Sequence, residues 1–343
     1  MSNPLAAHPP WRQLLIVSVL LPLVISLAVL AFTWPTARVR PRDVPVGVVG
    51  TTATTQHVIA HLDAAQPGAF EFRLYPDAAA ARAAIRSREV YGAILARPGR
   101  LGLLEASAAG PAVAALLTTA GQRIAQASTH DGSGPMAVSV EDVVPLSPRD
   151  PKGLLLSSAL LPLTICSILV AAAVGVIVRF RPAWRQLVAV TVVSAVAGAG
   201  AYLVGQGWLG AFPRGGAGDW AALALTVLAM AAATAGLIAL VGVAGLAAAA
   251  ALFVFVGNPF AAATSAPPLL PGAVNHLGQL LPPGAGLNLL RSSAYFGGHG
   301  AGSHIAVLLA WTLVGFLAIA VGHHPPIRFA AAAGGRSRAG ADQ

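Results

Sequence analysis

The chain has 343 residues, of which 56% are hydrophobic and 10% charged, with a formal net charge of +9. So small a charged fraction, against ~25% in soluble proteins, excludes an ordinary water-soluble globule. The basic residues lie in one polar block and at the ends of apolar runs, without interleaved aromatics, which excludes a nucleic-acid-binding face.

Residues 1–13 form a short lead with Trp11 and Arg12, and residues 14–34 form an apolar run. At 1.5 Å per residue that run reaches about 30 Å, enough to cross the hydrocarbon core. It is long for a signal-peptide core and no A-x-A site follows, so it reads as a retained anchor.

Residues 35–152 form the polar block, with twelve of the 21 basic and ten of the 12 acidic residues. Strands are expected at Val44–Gly50, Phe70–Tyr75, Tyr91–Ala96 and Leu101–Ala106, the last two joined by a Pro98-Gly99 turn. Helices are expected at Thr54–Ala65, with Val58, Ile59 and Leu62 inward, and from an Asp77 cap to about Arg88, with Ala78, Ala81 and Ile85 inward. A third helix covers Pro111–Ser128, and Met136–Pro145 returns extended. This is an α/β (α+β) domain of about 110 residues. Cys166 is the only cysteine, so packing alone holds the domain together.

Five more apolar runs follow in residues 153–322: Gly153–Val178, Gln186–Ala211, Trp220–Leu240, about Gly242–Gly257, and Ile305–Val321. From Trp220 to Leu290 no Lys, Arg, Asp or Glu occurs, and a charge at mid-bilayer costs roughly 2.5–3.5 kcal/mol on insertion scales. The fold class is thus a polytopic α-helical membrane protein of six spans, with the polar domain between spans one and two. The limit between spans four and five is marked only by Gly236, Gly242 and Gly245. Residues 258–304 are apolar but broken by six prolines, so they form interfacial or re-entrant helices capping the outer mouth. Arginines in the loop 179–185 and in the tail 323–343 place both on the cytoplasmic side, and the polar domain outside the plasma membrane. Arg38, Arg40 and Arg42 run against that rule, although long domains translocate regardless of charge.

The order of elements resembles the ABC type-2 transporter permease family, in the branch with a large outer domain after the first span. The matching stretches are DVPVGVVG (Asp43–Gly50), YPDAAAARAAIRSREVYGAILAR (Tyr75–Arg97), Asp150-Pro151-Lys152-Gly153 before span two, and LGQLLPPGAGLNLLRSSAYF (Leu277–Phe296) before the last span. Together they cover most of residues 43–321. The resemblance implies a permease subunit, paired as a homodimer or heterodimer and served by a separate ATPase, that exports hydrophobic or amphipathic cargo, lipid-like or drug-like.

The chain has no G-x-x-x-x-G-K-[ST] loop; Lys152 is its only lysine. ATP, if used, is bound by another polypeptide, docked against Trp11, Arg12, Arg179, Arg181, Trp184 and Arg185; bilayer anchoring is the simpler role for the same residues. No cofactor or nucleophile motif occurs. His57 and His61 have zinc-compatible spacing but no evident third ligand, so they read as surface histidines. Pro22 and Pro162, each in Leu-Leu-Pro-Leu, are candidate gating kinks, with accommodation by neighbouring helices as the plainer account. Arg291, the one charge between Asp219 and Arg328, is a candidate gate or an interfacial, snorkelling side chain. Asp219 reads as solvated at a span mouth, which leaves no carboxylate inside a span for proton coupling. A membrane-anchored receptor or assembly protein and an ion-gradient-driven exporter are the alternative functions.

Overall fold

A long apolar segment in lipid satisfies its backbone hydrogen bonds only internally, and helix is the single-segment solution. Among the described residues, six helices are long and apolar enough to cross a membrane: Leu14–Ala37, Leu154–Ile177, Ala183–Trp208, Ala217–Val241, Val243–Phe260 and Gly302–Val321. The computed structural model describes residues 11–97, 99–130, 136–177 and 182–322, with only the backbone at 12, 13 and 128–130.

The polar block folds as a five-stranded sheet: β1 (Val44–Val49), β2 (Phe70–Leu74), β3 (Gly92–Arg97), β4 (Arg100–Glu105) and β5 (Ala137–Asp142), in the order β2-β1-β3-β4-β5. β1 is parallel to β2 and β3, while β4 is antiparallel to β3 and parallel to β5. The β3–β4 register closes with Arg97 opposite Arg100, and Gly99 takes the left-handed φ of 68° that such a turn needs; Pro98 lies outside the described residues. Helices α2 (Thr52–Ala65), α3 (Ala78–Arg86) and α4 (Pro111–His130) complete the domain. The Asp77 carboxylate accepts from the Ala80 amide at 2.8 Å and caps α3. Val44, Val46, Ile94, Leu101, Leu103 and Leu117 form the core.

The first span is α1 (Trp11–Ala37), which runs three residues past Trp34 with Pro35 inside its last turn. It packs lightly, meeting span five at residues 251–260, and no residue from Leu14 to Trp34 is buried. α5 (Leu154–Ile177), α6 (Ala183–Tyr202) with its π-helical continuation Leu203–Trp208, and α7 (Ala217–Val241) follow. α7 is central, with Val227, Met230 and Ala231 fully buried. Gly242, at φ 69°, makes the one-residue turn into span five and settles its limit with span four. That span comprises α8 (Val243–Ala250), a π-helical turn Ala251–Gly257 and α9 (Asn258–Phe260). Pro259 supplies no amide, and the Asn258 side-chain amide answers the irregular turn by donating to the Phe253 carbonyl at 2.9 Å.

Beyond α9 the chain leaves the bundle, then re-enters as α10 (Gly272–Leu280) and α11 (Pro282–Phe296) before α12 (Gly302–Val321). Gly286 abuts Thr226, and Gly218 abuts Ser293, so α11 lies antiparallel to the first half of α7. Trp311 Nε1 donates to the Leu280 carbonyl at 2.8 Å, nine residues beyond Gly302, so the hairpin tip lies about 14 Å deep along α12.

The sheet domain and bundle share one core: Ile85, Val90 and Leu104 pack in a single cluster with Leu156, Leu289, Phe296 and Leu308. The arginines after span one take part in that docking. Arg42 Nη1 donates to the Leu269 carbonyl at 2.8 Å, and the Arg40 amide donates to the same carbonyl at 3.0 Å.

Candidate functional site

The most unusual electrostatics occur where the sheet domain meets α11. α3 ends at Arg86, two residues short of the expected limit, because Arg88 turns left-handed with φ 64°. A non-glycine residue seldom holds that conformation without surrounding structure to fix it. The turn aims the Arg88 side chain away from its own domain and into the bundle. Gly300, at a φ of 71° that favours glycine, packs against its stem.

Arg88 Nη1 donates to the Asn288 carbonyl at 3.1 Å and to Ser292 Oγ, and Nη2 donates to Asn288 Oδ1 at 3.2 Å. Its guanidinium also sits over the Phe296 ring, 5.3 Å from the centroid. Arg291 is 4% exposed, so it is neither interfacial nor snorkelling, and its Nη1 donates to the same Asn288 Oδ1 at 3.3 Å. Asn288 is buried and anchored by its own Nδ2, which donates to Gln279 Oε1 at 2.7 Å. One amide oxygen thus receives two guanidiniums.

Among the described residues the ion pairs are Arg73–Glu71 and Arg82–Glu141, and neither Arg88 nor Arg291 has a carboxylate partner. Their shared acceptor brings the two donor nitrogens within about 6.5 Å, where like charges repel by 2–3 kcal/mol at an effective dielectric constant near 20. Burial lowers the pKa of both guanidiniums, and Arg88 helps bring that of Arg291 down to about 10. A guanidinium nonetheless stays protonated in folded proteins. Burial raises the pKa of the neighbouring Tyr91 phenol, which keeps it neutral.

A cleft of about 450 Å³ opens alongside, lined by Arg86, Arg214, Tyr295, Phe296 and His299 among others. Tyr295 ties it to the bundle through its hydroxyl, which donates to the Ala211 carbonyl at 3.3 Å. The cleft and the buried pair share Phe296, which carries Arg88 on its ring.

Asp219, expected to be solvated, is 2% exposed in the first turn of α7, and neither carboxylate oxygen has a hydrogen-bond partner of good geometry. α11 lies against this turn, with Ser293 beside Gly218. The absence of a carboxylate from the spans is corrected accordingly. Asp150 is buried too, but it is satisfied: its two oxygens accept from the Leu154 and Leu155 amides at 2.9 Å each, capping α5.

Trp184 and Arg185 lie at the bundle end away from the sheet domain, with the Arg185 guanidinium 5.3 Å from the Trp184 ring. Trp11 is exposed at the same end of α1. Arg179, Arg181, Arg328, Arg336 and Arg338 lie outside the described residues, as does the side chain of Arg12. Pro22 and Pro162 are both exposed, on α1 and α5, and neither faces the bundle interior. His57 and His61 stack at 6.4 Å on α2, and among the described residues no three His, Cys, Asp or Glu side chains cluster to hold a metal.

Arg88 and Asn288 were not singled out by the sequence. Arg88 is one of several arginines in a helical stretch, and Asn288 is an ordinary amide in an apolar segment. Only the left-handed turn after α3 makes them partners. Searches against protein-family models, curated proteins and solved structures find no match.

Proposed function

We propose that the chain is the permease subunit of an ABC-type exporter that moves a hydrophobic or amphipathic cargo out of the cell across the plasma membrane, powered by a separate ATPase. The observation that carries this reading is the continuous core joining the sheet domain to α5, α11 and α12. A domain fused to a re-entrant hairpin half-way down a bundle moves with the helices, which suits cargo passage better than tethering alone. The bundle end with Trp184 and Arg185 is free of the sheet domain and offers a surface for an ATP-binding partner. In this reading that end is cytoplasmic and residues 35–152 are extracytoplasmic. The protein works as a pair of permeases, and Pro22, Pro162 and Arg291 are candidates for the gate.

Purification from native membranes, identification of any accompanying ATPase, and reconstitution of both in vesicles test the reading. ATP-dependent efflux of a fluorescent amphiphile, weakened by Trp184→Ala with Arg185→Ala, is the expected result. Efflux by the single chain alone would overturn it. Sidedness is read separately from Gln56→Cys in a Cys166→Ser background, labelled by a membrane-impermeant thiol reagent on whole cells.

Asp219 favours a second reading, an exporter driven by an ion gradient. A buried carboxylate in the first turn of a span, with no hydrogen bond of good geometry, is the type of group that carries protons. On this reading Asp219→Asn abolishes efflux and dissipating the proton gradient does the same; on the ATP-driven reading neither does.

A further inference from the structure

Arginine remains protonated in folded proteins, so a buried and a half-buried guanidinium without a carboxylate among the described residues form a site short of an anion. Arg291 is the clearer case. Among the described residues it makes one hydrogen bond, through Nη1 to an oxygen already taken by Arg88. Ser292 is fully buried, and its hydroxyl accepts from Arg88, which leaves its proton to donate. The adjoining cleft adds Arg86, Arg214 and His299 and has no acidic lining residue.

We propose that Arg88 and Arg291 hold one phosphomonoester-type oxyanion at the seam between the sheet domain and α11, assisted by the Ser292 hydroxyl and reached through the adjoining cleft. A carboxylate would offset one of the two charges, whereas a phosphomonoester carries about −1.5 to −2 at neutral pH and presents three oxygens to forked donors. Two sources offer that chemistry: inorganic phosphate from water and a lipid with a phosphomonoester headgroup, such as phosphatidic acid. The site stands whether or not the chain exports anything. If a lipid fills it, that lipid becomes a cargo candidate for the proposed exporter.

The test uses the full chain in phosphatidylcholine nanodiscs and reads thermal unfolding. One arm titrates inorganic phosphate against chloride at equal ionic strength. The other compares nanodiscs with and without phosphatidic acid. A rise in melting temperature in the first arm alone assigns free phosphate, and a rise in the second alone assigns the lipid. Arg88→Gln and Arg291→Gln should each weaken the response about tenfold or more, the effect of losing one charge-assisted contact. Asn288→Asp places a carboxylate between the guanidiniums, so it should raise the melting temperature without ligand and remove the response to both probes. Should the glutamine variants fail to fold, this variant decides alone. No response in either arm, an unchanged response in folded glutamine variants, or a full response in Asn288→Asp overturns the proposal.

Discussion

Gly236 of α7 and Gly315 of α12 face each other where spans four and six cross: a Cβ added to Gly236 would stand 2.7 Å from the Gly315 carbonyl oxygen and 2.8 Å from Ala318 Cβ. No side chain fits that gap without separating the helices, and small residues are what permit such approach in a membrane. Gly236→Val should therefore destabilise the bundle by about 1–3 kcal/mol, the usual cost of overpacking a filled core. A lower melting temperature in detergent checks it, and Gly200→Val provides the control. No atom lies within 4 Å of a Cβ at Gly200, so that variant should melt near wild type.

Asn288 is an acceptor for two charged donors, so its loss is felt twice. Asn288→Ala removes Oδ1 from Arg88 and Arg291 and leaves Gln279 Oε1 without its donor. A hydrogen bond to a charged group contributes about 1.5–3 kcal/mol, and leaving such groups unpaired in a buried site adds to the loss. The sheet domain and bundle should then separate more readily, seen as faster proteolysis within residues 297–301, next to the Arg88 stem. Wild-type cleavage rates in that variant would show that the Phe296 stacking and the shared core are sufficient.

Asp150 explains why the segment Asp150-Pro151-Lys152-Gly153 precedes the second span. Its carboxylate caps α5 with two acceptors at 2.9 Å, and Gly153 turns the chain at φ 65°. Asp150→Asn keeps one acceptor, and Asp150→Ala keeps none. The expected order of stability is wild type, then Asn, then Ala, with the Ala variant lower by about 1–2 kcal/mol. Thermal melts of the three proteins in one detergent check the order.

The spans and strands were legible because each follows from local pattern. Charge-free runs select helix in lipid, alternation as in Phe70–Leu74 selects strand, and Asp77 stops the backbone before α3. Limits were less legible where tertiary contacts decide them. Pro35 remains helical because it lies in the final turn of α1, and Gly242 breaks the apolar stretch only because its left-handed φ allows spans four and five to fold back. The junction was illegible for a different reason. Arg291 and Asp219 look like interfacial charges in any window of sequence, and it is α11, folded back against α7, that removes both from water. Arg88 reaches Asn288, beside Arg291, from two hundred residues away through a single left-handed residue, for which the sequence carries no periodic signal.

Glu105 gives the sheet domain a dependence on pH whose sign can be fixed. It closes β4 beside Asp142 of β5 and accepts from Thr118 Oγ1 at 2.9 Å. Burial raises its pKa, Asp142 adds to the rise, and Thr118 opposes it. The folded state thus binds this proton more tightly than the unfolded chain. Its contribution is fully present below the ordinary glutamate range and is lost as pH climbs through the raised folded value. Glu105→Gln is neutral throughout and still offers Thr118 an oxygen. It should therefore melt above wild type at neutral pH, with the gap closing as pH falls below the ordinary carboxylate range. Subtracting the two melting curves at each pH isolates this group from Glu141, whose pKa Arg82 moves in the opposite direction. A gap that stayed constant with pH would mean that the Thr118 contact and local packing, and not the charge, set the difference.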